Sequence, residues 1–235
     1  MSAAESLALP RIAVLGAGHS GPVIGRVALD AGYPVSIAAS GDPAEIELIA
    51  EVLMPGAKPR WAADAVAEAD LVVLAIPLHK LTTLDPALLA DRLVIDVMNY
   101  WPAVDGLQRM FEDTSRGSSE IVQERLARST VVKTLNHIGY HEIEDDRRPA
   151  GSPDRRALGV AADDPGARDV VAELVARIGY DPVRLDSLRS GRVLQPGGPV
   201  FGASLSRPEF EMAVRGSAAH AAPLNRDYGR EKDLK

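Results

Sequence analysis

Residues 16–21 read Gly16-Ala17-Gly18-His19-Ser20-Gly21, and what flanks them decides the fold. Before them runs Arg11–Gly16 (RIAVLG), the pattern of a buried strand. After them, Gly21–Gly32 carries Val23, Ile24, Val27, Ala28 and Ala31 on one helical stripe and stops at a glycine. A G-x-G-x-x-G between strand and helix has a physical purpose. Gly16 permits the tight turn, Gly18 lets the backbone approach a pyrophosphate, and Gly21 lets the helix pack closely on the strand. Pro22, at the opening helical position, gives up only an N–H that would be free there anyway. The remaining N–H groups and the positive helix end then face a diphosphate, which implies a dinucleotide site.

Outward from this turn, short apolar runs alternate with helical patterns. Tyr33–Ser40 reads as a second strand, and Ile46, Ile49, Ala50 and Leu53 make a helical stripe ended by Pro55-Gly56. Lys58–Ala62 is a short strand before an alanine-rich helical turn. Asp70–Ile76 (DLVVLAI) and Arg92–Met98 (RLVIDVM) are apolar on both faces, as parallel strands covered by helices must be. Parallel neighbours need crossover helices, so the fold class is α/β with a doubly wound, mostly parallel sheet. Beyond Tyr100, residues 99–117 are loop-like, and Ser119–Ala127 is a helix with Ser119 as its cap. Ser129–Leu135 and Arg156–Ala161 are strands around the polar loop His141–Pro153. Ala167–Ile178 is an amphipathic helix, followed by an edge strand at Pro182–Leu185. The expected division is a dinucleotide-binding domain at 1–128, a small C-terminal extension completing the sheet at 129–205, and a mobile tail at 206–235.

Composition narrows the function. The chain has 235 residues, 46% hydrophobic and 25% charged, an ordinary globular balance. With 3 Phe, 2 Trp and 5 Tyr, its core must be built from aliphatic residues. The absence of cysteine excludes disulfides, thiolate metal sites and cysteine catalysis. A net charge of −7 argues against nucleic acid as the partner. No leader pattern and no run long enough to span a bilayer is visible, so the expectation is a cytoplasmic protein acting on a small molecule, with no membrane or nucleic-acid partner. There is no G-x-S-x-G and no G-x-x-x-x-G-K-[ST], which removes the hydrolase and P-loop readings. His137 and His141 are spaced i, i+4, but Gly139 disfavours a helix there and no third ligand is near, so no metal site is expected.

Several segments together resemble the NADPH-dependent coenzyme F-420 reductase family, the F-420H2:NADP oxidoreductases. These are the glycine loop, Ala75-Ile76-Pro77, Val131-Val132-Lys133-Thr134-Leu135-Asn136, Gly159–Asp164 (GVAADD), Gly179-Tyr180, Leu185-Asp186 and Leu188–Arg192. The likeness spans about residues 10–200. It implies a Rossmann-type fold, hydride exchange between NADP(H) and a deazaflavin (coenzyme F-420) or flavin, and a homodimer. Ala17 and Gly41 stand where members that clamp the 2′-phosphate carry Thr and Arg, and only Ser40 is kept.

Ligands of doubly wound sheets sit at the carboxyl ends of the strands. That places Gly16, Ala17, Gly18, His19, Ser20, Gly21, Ser40, Ala75, Ile76, Pro77, His79, Met98 and Asn99 around the cofactor, and Asn136, His137 and Tyr100 around the second substrate. Ser40 is positioned to donate to a 2′-phosphate, so NADP is preferred; Asp42 holding a ribose hydroxyl is the alternative, which leaves NAD open. Ile76 and Pro77 brace the nicotinamide, and Asn99 and Asn136 meet its carboxamide or the second substrate. His79 and His137 read either as general acids or as ordinary polar loop residues. Lys133 with Asn136 also has the residue types of a hydroxyacid dehydrogenase pair, although near a strand end. Trp101 and Tyr100 either stack on a planar substrate or cover apolar surface. Hydride transfer needs proximity and orientation and no protein nucleophile, so no catalytic residue is assigned. A binding module without turnover and a dehydrogenase of a small organic substrate are the competing functions.

Overall fold

The computed structural model describes residues 8–111, 113 and 115–218. Eight strands form one sheet: β1 Ile12–Leu15, β2 Val35–Ala38, β3 Lys58–Pro59, β4 Leu71–Leu74, β5 Leu93–Asp96, β6 Thr130–Lys133, β7 Ala157–Ala161 and β8 Asp181–Leu185. Their order is β3-β2-β1-β4-β5-β6-β7-β8, with every pairing parallel except β6 with β7. The chain reverses its winding direction between β1 and β4, the switch point where a doubly wound sheet opens its crevice.

Alternation along the strands feeds two cores. Ile12, Val14, Leu71, Val73, Ile95 and Val132 face the first core, beneath α1 (Ser20–Asp30), α2 (Glu47–Leu53) and α6 (Pro165–Arg177). Ala13, Leu15, Val72, Leu74, Val94 and Val131 face the second, beneath α3 (Ala62–Glu68) and α5 (Ser118–Arg125). Adjacent residues of one strand thus serve opposite faces, which is why each run reads as continuously apolar. Among the described residues, no helix is long and apolar enough to cross a membrane.

Two expectations need correcting. The segment from residue 206 begins as a helix, α7 (Arg207–Ala218), not as a tail. Ser206 Oγ donates to Glu209 Oε2 at 2.6 Å, and the Ser206 N–H donates to the same oxygen at 2.9 Å. The helix buries Phe210 in a third cluster with Ala157, Ala161, Val183, Leu185 and Leu194. Residues 219–235, the rest of the expected tail, lie outside the described residues. Ser119 is likewise no helix cap. Gly117 precedes the helix and donates its N–H to Glu120 Oε2 at 2.6 Å, while Ser119 Oγ turns inward to Asp96 Oδ2, also at 2.6 Å.

Asp96 at the end of β5 anchors a buried polar knot. It accepts from Ser119, from the Met98 N–H at 2.9 Å and from Lys133 Nζ at 3.3 Å, and Lys133 Nζ also donates to the Met98 carbonyl. Both ends of the ion pair are sealed from solvent. Burial pulls the Lys133 ammonium below its ordinary value, and attraction to Asp96 opposes that. This geometry removes the dehydrogenase reading of Lys133, because its amine is spent inside the sheet. Removing one partner of such a pair strands the other charge. Lys133→Met is therefore expected to lower unfolding free energy by about 3–5 kcal/mol in urea titration, and Lys133→Met with Asp96→Asn to lower it by less.

Candidate nucleotide-binding site

The glycine turn is shaped by what cannot fit there. Gly16 has φ +123°, and a Cβ on it would stand 2.3 Å from the Ala75 carbonyl oxygen. One on Gly21 would stand 1.9 Å from the Gly16 carbonyl oxygen. Gly18 is the opposite case: a Cβ there meets nothing within 4 Å. Two glycines thus close the strand against the helix, and the middle one faces open space. The first turn of α1 contains no acidic side chain, so nothing in that turn offsets the positive end of the helix. His19 occupies the cap position with no side-chain cap bond, and its ring stacks on Tyr140 at 5.1 Å between centroids. The loop carrying Tyr140 is tied to α1 by Arg26–Glu144 and Asp30–Arg147 ion pairs.

At the end of β2, Ser40 is exposed. Asp42 is occupied: its Oδ1 accepts the Ala44 N–H at 2.9 Å, capping the short helical turn Pro43–Ile46. Glu45 instead folds back over that turn, placing its Oε2 2.7 Å from the position of a Cβ on Gly41, the residue after Ser40. The sequence pattern did not point to Glu45, because it reaches the strand end only by folding back over the turn.

Four expected site residues face elsewhere. The Met98 side chain is buried in the second core, and its carbonyl serves Lys133. Tyr100 donates to the Gly106 carbonyl at 3.1 Å, accepts from the Gln108 N–H at 3.1 Å and packs on Phe111, so it braces its own loop. Asn136 donates to Asn99 Oδ1 at 2.9 Å and to the Leu194 carbonyl at 2.6 Å, which uses both of its N–H bonds. His137 is 1% exposed. Its Nε2 accepts the Gly159 N–H at 3.1 Å and its Nδ1 faces Asn136 Oδ1 at 3.3 Å, leaving no ring nitrogen for a substrate. Trp101 meets Phe201 edge-on at 5.7 Å.

What remains at the carboxyl edge is the glycine turn, Ser40, Ala75-Ile76-Pro77, Asn99 and His79. Asn99 is half-buried and held by a 2.7 Å bond to the Asn136 carbonyl oxygen. His79 was one of several histidines in the pattern; its partner was not legible. Asp105 Oδ1 lies 2.9 Å from His79 Nδ1 and accepts the His79 N–H at 3.2 Å, and Asp105 Oδ2 accepts the Trp101 N–H at 2.8 Å.

Residues 11–100 match the family described as NADP oxidoreductase, coenzyme F420-dependent. The glycine turn, β2 and β4 all fall within the matched segment. No protein of curated function matches the chain. Among solved structures, a hypothetical protein of Sinorhizobium meliloti is 27% identical, with TM-score 0.72 over 85% of this chain and 96% of its own. A proposed F420-dependent NADP reductase of Arthrobacter sp. FB24 is 23% identical, with TM-score 0.65 over 92% and 97%. A pyrroline-5-carboxylate reductase of Coxiella burnetii is 15% identical, with TM-score 0.53 over 93% and 73%. The last two share the fold. The matched family description supports an NAD(P)-dependent oxidoreductase.

His137 also yields a prediction for stability. Burial, then the cations of Arg156 and Lys133, pull it from the ordinary 6.5 down to about 3. Between those values the unfolded chain binds the proton and the folded one does not, so stability is full above about pH 6.5 and falls as the pH drops. The expected contribution is a loss of about 2 kcal/mol between pH 7 and pH 5, measured by chemical denaturation. In His137→Gln that part of the pH slope disappears, whatever the variant's absolute stability.

Proposed function

We propose that the protein transfers a hydride between NADP(H) and a deazaflavin of the coenzyme F-420 type or a flavin-like acceptor. The observation that carries this reading is the open side of Gly18 beside an unneutralised helix end, a cradle shaped for a diphosphate. The family description of residues 11–100 names both NADP and F420 and supports the pairing. When bound, the nicotinamide supplies the hydride; the chain's residues hold and aim it. The amides of Gly18, His19 and Ser20 receive the diphosphate, and Ser40 receives the adenosine side. Ile76 and Pro77 line the nicotinamide side, beside Asn99, whose amide is fixed by Asn136.

Ser40 and Glu45 oppose one another in choosing the nucleotide. A hydroxyl suits a 2′-phosphate, and a carboxylate beside it disfavours one. Glu45→Gln is expected to raise affinity for NADPH relative to NADH several-fold, as read by fluorescence titration.

Turnover is tested by mixing protein and NADPH anaerobically with a deazaflavin or flavin and following the nicotinamide absorbance. Oxidation that depends on protein supports the proposal; tight NADPH binding with no oxidation by any acceptor contradicts it. Gly18→Val separates binding from folding. Its side chain enters free space, so melting is expected to stay close to wild type while NADPH affinity falls at least 10-fold. Unchanged affinity would mean that the turn is not where the diphosphate sits.

A further inference from the structure

Of the histidines at the carboxyl edge, His137 is consumed inside the protein and the His19 ring is stacked on Tyr140. His79 is arranged differently. It lies five residues past the end of β4 and three beyond Ile76, whose amide lies beside the glycine turn. Its side chain is 37% exposed, whereas that of Asp105 is 2% exposed. A carboxylate only accepts, so the hydrogen between Nδ1 and Asp105 belongs to Nδ1, and Nε2 is the ring nitrogen left to exchange a proton.

A purely structural reading gives Asp105 the task of joining the turn after β4 to the loop after β5. That task does not need the imidazole. The His79 backbone N–H already reaches Oδ1 and the Trp101 N–H reaches Oδ2, and neither bond uses the ring. What the ring adds is an oriented nitrogen on the side of the sheet where the nicotinamide is placed.

We propose that His79, aimed by Asp105, exchanges the proton that accompanies hydride transfer to the acceptor. This rests on the function proposed above and names its proton carrier. In the reducing direction a C–H bond of the dihydronicotinamide breaks, and its electron pair forms a new bond to that hydrogen at position 5 of the acceptor ring, C–H in a deazaflavin and N–H in a flavin. The acceptor's conjugated π electrons shift onto a ring nitrogen, which takes the proton from Nε2–H of the cationic imidazole. Nε2 then regains a proton from water. The nucleotide is oxidised by two electrons and the acceptor is reduced by the same two.

The test uses the full chain with NADPH and a 5-deazaflavin or flavin. His79→Ala and His79→Gln are expected to bind NADPH as wild type does, to melt as it does, and to lose about 100-fold in kcat. Added imidazole is expected to restore part of the lost rate in His79→Ala, a response that a merely structural residue does not give. Apart from turnover, in protein labelled with 15N-histidine the His79 Nε2 resonance, assigned by its absence in His79→Gln, is expected to move when oxidised deazaflavin joins the NADP+ complex. Wild-type turnover with undiminished kcat in the variants overturns the proposal and leaves the hydride function standing. A lost rate that imidazole does not restore, with an unmoved resonance, also overturns it. No turnover by wild type with any acceptor overturns both.

Discussion

Three backbone segments meet in this protein with no side chain between them. Gly21 packs on the Gly16 carbonyl and Gly16 on that of Ala75, so the start of α1, the end of β1 and the end of β4 are held at distances that any Cβ would violate. That constraint sets the direction of α1 and aims its unpaired amides outward. It also brings the start of the segment after β4, Ala75-Ile76, alongside the same opening. The chemistry proposed for the protein depends on this contact, because it places the turn proposed to receive the diphosphate.

The second half of the chain works as a floor for that opening. Leu135 adopts φ +59°, a costly conformation for a bulky side chain, just past the end of β6. Asn136 and His137 follow it into the interior, where Asn136 fixes Asn99 and His137 carries the Gly159 amide. Below them the Asp96–Lys133 pair joins β5 to β6 and, through Ser119, to α5. These polar groups looked like site residues because they follow strand ends. Their chemistry is spent on holding the exposed ones still.

The alternation of apolar runs and helical stripes was enough to place β1, α1, β2, β4 and β5, since each depends on a few neighbouring residues and on burial of both sheet faces. The glycine turn was legible for the same reason. What escaped were contacts made where the chain folds back on itself. Asp105 meets His79 across 26 residues, and no local pattern marks it. Glu45 reaches Gly41 only because Asp42 caps the turn between them. The α7 helix did leave a signal in Ser206-Arg207-Pro208-Glu209, a serine three residues before a glutamate, but the charge and the small residues after it suggested a tail. The direction of the histidines was beyond the sequence altogether: His79 and His137 both follow strands, and only the packing of α7 and β7 shows that one of them is sealed.

The most direct test of where the nucleotide sits is amide hydrogen exchange across residues 16–21 with and without saturating NADPH. The account predicts that the amides of Gly18, His19 and Ser20 become protected on binding, as a diphosphate takes up their hydrogen bonds. Binding that leaves these amides exchanging as before, with protection appearing elsewhere in the chain, would contradict it.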